Sequence, residues 1–100
     1  MTKTYTLKEK IWLYPGISAW YFLNIPSDVT KDIDYFFSTQ KKGWGSLPVH
    51  VTIGKTTWKT SIFPDKKTST YLLPVKAEVR KKEKIEQKDL VSFLIEIGKD

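Results

Sequence analysis

Hydrophobic and polar positions alternate most cleanly in the second half of the chain. Leu47, Val49, Val51 and Ile53 share one phase, and Pro48, His50 and Thr52 the other, the period-2 pattern of a strand with one buried face. Gly54-Lys55 follows with glycine first, as a type II′ hairpin turn requires. Thr56 to Phe63 then returns, with Trp58 and Ile62 on one face and Lys59 and Ser61 on the other. Pro64-Asp65 predicts the next turn, Ser69 to Leu73 a further strand, and Leu90 to Ile97 the last one, with Val91, Phe93, Ile95 and Ile97 inward. In the first half, Thr4 to Tyr14 alternates with Tyr5, Leu7, Ile11 and Leu13 on one face, and Pro15-Gly16 turns the chain. Ser18 to Ile25 is apolar on both phases, so it reads as a strand covered on both sides.

Two segments change period. Val29, Ile33, Phe36 and Phe37 recur at i, i+4, i+7 and i+8, which predicts a short amphipathic helix. Ser27 is its expected N-cap, Asp28 lies in its first turn, and it ends near Gln40. Lys76 to about Glu83 predicts a second, strongly basic helix. Lys41 to Ser46 is a loop in which Gly43 and Gly45 free the backbone around Trp44. The predicted order is β-β-α-β-β-β-α-β, a mainly β (α+β) fold of about six strands and two short helices. Ile25-Pro26 and Leu73-Pro74 each lead from strand to helix, because proline offers no N–H to a ladder. That echo suggests two related halves closing a small barrel, which removes exposed strand edges.

Composition narrows the class. One hundred residues, 40% of them hydrophobic, suffice for one domain (residues 1–100) with one modest core. A formal charge of +6 favours anionic partners, although eleven interspersed acidic residues also allow it to serve solubility alone. There is no cysteine, hence no disulfide framework and no thiolate chemistry, which suits a cytoplasmic protein. No apolar segment follows Met1 to Lys10 as a secretory signal would need, and no apolar run is long enough for a membrane span.

With these residues laid out, the chain resembles domain-of-unknown-function family 1905, found in bacteria and archaea. The motifs that carry the resemblance are Ala19-Trp20-Tyr21-Phe22, Gly43-Trp44-Gly45-Ser46-Leu47-Pro48-Val49, Thr52-Ile53-Gly54, Trp58-Lys59-Thr60-Ser61-Ile62-Phe63-Pro64 and Tyr71-Leu72-Leu73-Pro74-Val75-Lys76. Val79-Arg80-Lys81 and Asp89-Leu90-Val91 complete it. The resemblance covers about Ile11 to Ile97. It implies a double-split β-barrel, the architecture of swapped-hairpin transition-state regulators and antitoxins, and it implies no activity, since none is assigned to the family. One departure stands out: the family usually has glycine where this chain has Lys88. If that turn needs positive φ, lysine costs about 1 kcal/mol there.

Catalysis finds little support. His50 is the only histidine and lies on the polar phase of a strand. Thr60 and Ser61 are strand hydroxyls with no exposed nucleophile elbow. One histidine, no cysteine and no spaced carboxylate cluster offer no metal site. Asp28, Asp32 and Asp34 read as dipole and solvation residues of the first helix. No enzyme, catalytic residue, metal or cofactor is expected.

Binding is better supported. Lys76 and Arg80 are i,i+4 neighbours that repel unless an anion, or Glu78, Glu83 or Glu86, compensates them. Trp20 and Trp58 read as barrel core. Trp44 either plugs a barrel end or stands exposed beside Lys41 and Lys42 as a stacking platform. The candidate ligand-binding set is Trp44, Trp58, Lys76, Arg80, Lys41 and Lys42. The expected function is a non-enzymatic binding module for an anionic partner, nucleic acid or an anionic small molecule. The alternatives are a small-ligand or peptide pocket at the barrel mouth and a protein-interaction accessory domain.

Overall fold

The structure, a computed structural model, describes residues 1–16 and 20–98. Seven strands form one curled antiparallel sheet, a half-barrel: β1 (Lys3–Lys10), β2 (Trp12–Leu13), β3 (Tyr21–Asn24), β4 (Leu47–Ile53), β5 (Thr56–Asp65), β6 (Thr70–Pro74) and β7 (Leu90–Ile97). Helix α1 (Ser27–Phe37) follows β3 and helix α2 (Ala77–Lys82) follows β6. The strand order across the sheet is β1-β7-β4-β5-β6-β3-β2. The predicted alternation holds in β1, β4 and β7, where every second residue is buried or half-buried. Leu23, Ile25, Ile33, Phe37, Val51, Ile62, Leu73 and Ile95 meet in one core.

The single strand expected over Thr4–Tyr14 is divided at Ile11, which raises the count to seven. Ile11 is fully buried, and its backbone pairs with the turn before β7: its N–H donates to Asp89 O (2.9 Å), and Lys88 N–H donates to its carbonyl (3.0 Å). The chain therefore leaves β7 at Ile11 and joins β3 through Trp12 and Leu13. The strand expected over Ser18–Ile25 is seen only from Tyr21. Ile17 to Ala19, including the start of that expected strand, lie outside the described residues.

Three other boundaries move. Ser27 is the first helical residue, not the cap. Pro26 takes the cap position, and Asp28 Oδ1 accepts Val29 N–H (2.9 Å) instead. Helix α1 ends at Phe37 and tightens into a 3-10 turn to Gln40. Pro64-Asp65 is not a turn, because β5 runs through it and the turn lies at residues 66–69. Pro64 is tolerated because β4 starts opposite Ile62, so its missing N–H falls beyond the β4 ladder. At the β4–β5 turn, φ is +57° at Gly54 and not positive at Lys55, as type II′ demands.

Candidate functional site

Register explains where the sheet opens. In a hairpin closed by a two-residue turn, Ile53 and Thr56 exchange backbone hydrogen bonds and alternate pairs follow. Trp58 and Thr60 thus bond to β4, while Lys59, Ser61, Phe63 and Asp65 turn their backbone groups to the other side. There β6 meets only Phe63, Pro64 and Asp65, opposite Leu72, Tyr71 and Thr70. Continued by two steps, that register would set Ser61 against Pro74 and Lys59 against Lys76. Proline has no N–H to give, and two like charges face each other unfavourably. Beyond Phe63 the two strands part, and β6 continues with β3 alone, through Leu73 opposite Leu23 and Pro74 opposite Phe22.

The opening is a groove of about 480 Å³. Trp58, Lys59 and Thr60 of β5 form one wall and Tyr21, Pro74, Val75, Lys76, Ala77 and Arg80 the other, with Trp20 and Phe63 at its rim. Three consecutive β5 residues border it, although neighbours on a strand point to opposite faces. The groove therefore runs along the strand's edge rather than over its face. Among the described residues, no aspartate or glutamate lines it.

Arg80 is held in this wall. Its guanidinium lies 3.8 Å from the Tyr21 ring centroid, within cation–π range, and its Nε donates to Val75 O (3.1 Å). Val75 N–H in turn donates to Tyr21 O (2.9 Å), which ties α2 to β3. Lys59 and Lys76 are exposed, and the ammonium group of each makes no hydrogen bond or ion pair among the described residues. Two of the three carboxylates expected to compensate Lys76 and Arg80 have other partners. Glu78 pairs with Lys82 (3.4 Å), and Glu83 accepts the Thr56 hydroxyl (2.6 Å) while packing against Gly54.

The six candidate residues divide three ways. Trp58, Lys76 and Arg80 meet in the groove. Lys41 borders a separate cavity of about 210 Å³ with Asp34, Tyr71 and Lys66; its ammonium pairs with Asp34 (2.9 Å), whose carboxylate also takes the Tyr71 hydroxyl. Burial works to raise the Asp34 pKa, but the Tyr71 and Lys41 hydrogen bonds outweigh it and leave it lowered. The same ion pair raises Lys41, while burial first and Asp34 second raise Tyr71. Lys42 is exposed, with its backbone closing the loop: its N–H donates to Ser46 O (2.7 Å) and its carbonyl accepts Gly45 N–H (3.0 Å). Trp44 plugs nothing. It is 96% exposed at φ +65° and is not a groove-lining residue.

Trp20, Tyr21, Phe63 and Lys59 belong to the groove without having been candidates. Trp20 is half exposed rather than core, because the outer face of β3 is covered by aromatic rings instead of a helix. Trp12, Trp20 and Tyr14 pack on Phe22 with centroids 5.4, 5.9 and 5.9 Å away. Asp32 and Asp34 also do more than solvate α1. Asp32 accepts Lys3 Nζ (2.8 Å) and Tyr5 Oη (2.6 Å), which pins the helix to β1; these bonds lower the Asp32 pKa, and burial followed by the Asp32 bond raises Tyr5. His50 lies between Lys59 of β5 and Glu96 of β7 on one cross-strand row. Among the described residues, no three histidine, aspartate or glutamate side chains are placed to hold a metal ion, and no helix is long and apolar enough to cross a membrane.

A curled antiparallel sheet with two helices and one cation-edged aromatic groove defines a small β-barrel-like domain. Over residues 8–95 the sequence matches the family described as a domain of unknown function (DUF1905), and the chain belongs to that family. No curated protein matches it.

Proposed function

We propose that the protein is a non-enzymatic binding module whose groove takes a small anionic ligand. The observation that carries this reading is the parting of β5 from β6 at Pro74, which leaves Lys59 and Lys76 bordering an aromatic-lined groove with no acidic side chain. Its volume falls within the roughly 300–1,000 Å³ of small-molecule sites. Arg80 adds a third cation, fixed before any ligand arrives, and a preformed cation wastes little ordering entropy on binding. The same proposal includes the double-split barrel, closed by the β1–β2 chain bent at Ile11, and one domain over residues 1–100. A cytoplasmic setting accords with the cysteine-free sequence.

Thermal-shift screening of the full chain against phosphorylated and carboxylate metabolites tests it. A stabilising anion is expected, with its effect lost in a Lys59→Gln/Lys76→Gln variant. No stabilisation by any anion, or the same stabilisation in the double variant, refutes the reading.

A second reading rests on Trp44. A bulky residue at positive φ and almost wholly exposed carries a conformational cost with no burial inside its own chain to offset it. Stacking on a nucleic-acid base beside Lys42, or docking on a protein, gives it a use. Electrophoretic shift with single-stranded DNA and RNA at low salt tests the first of these, with binding expected to weaken in Trp44→Ser.

A further inference from the structure

The groove has a chemical character beyond positive charge. Of its eleven described lining residues, Trp20, Tyr21, Trp58 and Phe63 are aromatic, and the Arg80 guanidinium lies against Tyr21 as one more flat surface. A simple anion, or a sugar phosphate, would use the lysines and leave these rings in contact with water. A ligand with a planar ring would cover them. Phe63 and Trp20 are 41% and 50% exposed, so their surface is available without rearranging the core, whereas Trp58 is half-buried and packs on it.

The charged part can be assigned too. Lys59 and Lys76 come from opposite walls, and each is a compact point charge rather than a fork. Lys59 also turns its backbone N–H into the groove, by the register derived above, and β6 supplies it no partner. Two ammonium groups and one amide donor suit a phosphate monoester, which carries about −1.5 to −2 near neutral pH and offers three acceptor oxygens. A single carboxylate would leave one lysine uncompensated. We propose, resting on the binding reading above, that the ligand is a planar heteroaromatic ring joined to one phosphate, the chemistry of a mononucleotide. The ring lies against Trp20, Phe63 and the Tyr21–Arg80 stack, and the phosphate sits between Lys59 and Lys76. Phe63 and the Ala77 and Arg80 residues of α2 border the opening, and its volume of about 480 Å³ is in the range of small-molecule sites. The chemistry has two sources, a free nucleotide or the 5′-phosphorylated end of a single strand, because an internal phosphodiester carries one charge only.

Calorimetric titration of the full chain with adenosine 5′-monophosphate, ribose 5-phosphate, adenosine and a short 5′-phosphorylated oligodeoxyadenylate separates the possibilities, with indole N–H resonances reporting on the tryptophans. The monophosphate should bind about tenfold or more tighter than ribose 5-phosphate, the ratio that base–aromatic stacking supplies, and tighter than adenosine, which has no phosphate to offer Lys59 and Lys76. Trp20→Ala should erase most of that advantage while leaving ribose 5-phosphate affinity unchanged. Because Trp20 is half exposed and outside the core, this variant keeps its fold, which a single cooperative unfolding transition and native indole N–H resonances of the other tryptophans verify. Comparable binding of the monophosphate and ribose 5-phosphate overturns the aromatic assignment and leaves anion binding standing. No binding of either phosphate, with no other anion stabilising the chain, removes both. If the oligodeoxyadenylate binds at least as tightly per strand as the monophosphate, a strand end is the source; if it binds only weakly, the source is the free nucleotide. Oligonucleotide binding with none by the monophosphate overturns the mononucleotide site.

Discussion

Lys88 gives the sharpest test of the backbone. It has φ +75°, and its turn is closed by Asp89 N–H donating to Glu86 O (3.0 Å), so Lys88 occupies the third position of a four-residue turn. Type II turns need positive φ at that position and favour glycine there. The conformation is locked from outside, since Lys88 N–H donates to Ile11 O (3.0 Å) and Ile11 N–H donates to Asp89 O (2.9 Å). The turn cannot relax without releasing the residue that divides β1 from β2. An L-residue in this region costs about 1–2 kcal/mol. Glycine removes that cost but gives back about 0.4–1 kcal/mol of unfolded-chain entropy. Lys88→Gly should therefore stabilise the protein by roughly 0.5–1 kcal/mol, or about 2–8 °C in Tm for a domain of this size. Lys88→Ala is the control: it loses the same exposed ammonium but keeps a Cβ at positive φ, so it should show little gain. Urea denaturation of the three proteins decides the matter. A Lys88→Gly protein no more stable than Lys88→Ala would refute the strain argument.

Other positions yield expectations of the same kind. A Cβ at Gly54 would lie 2.0 Å from Glu83 Oε1, at φ +57°; Gly54→Ala should destabilise by about 1–2 kcal/mol, and adding Glu83→Ala should recover only the clash, as a double-mutant cycle in urea would show. Ile11→Ala should cost about 2–5 kcal/mol by opening a cavity where β1 passes into β2, read as a lower denaturation midpoint. The folded-state pKa of Asp34 is lowered, so its contribution is present above the unfolded value and is lost as pH falls through the folded one. Asp34→Asn should accordingly lower stability at pH 7 but flatten its decline below about pH 4, measured by thermal unfolding across pH.

How much of this was legible in the residues differs by feature, and the reasons are physical. β4 and β7 were readable to the residue because one face is buried and one is not, so period 2 is imposed along their whole length. The first strand was readable in its faces but not in its break. Ile11 keeps the same phase as Tyr5 and Leu7, and only its partner changes, from β7 to the turn at Lys88–Asp89. Pro64 misled because proline reads as punctuation, whereas its tolerance depends on where β4 begins, a fact of pairing rather than of composition. The phase of Trp20 was correct and its environment was not, since apolar residues on both faces of a strand do not reveal whether the outer face meets a helix or a set of rings half open to water. Lys59 looked like an ordinary solvated strand residue. Its place in the groove follows from the register of a different ladder, two residues beyond where that ladder stops.

The groove therefore follows from an unfinished ladder, and this bears on why its residues are what they are. A strand pair as regular as β5–β6 over Phe63–Asp65 would be expected to continue, because each further step satisfies backbone groups that otherwise face water or remain unpaired. Two sequence choices oppose continuation: a proline at the first hydrogen-bonding position beyond Leu72, and a lysine opposite a lysine at the next. Either alone would weaken the zipper, and the two together keep it open. If the opening had no use, replacing Pro74 by valine would be harmless and would add a donor to Ser61. If it holds an anion, the same replacement lets β6 close on β5, narrowing the site that Lys59 and Lys76 border. Pro74→Val should then raise stability while lowering anion affinity, an opposition that neither a purely structural proline nor a purely solvating pair of lysines would produce.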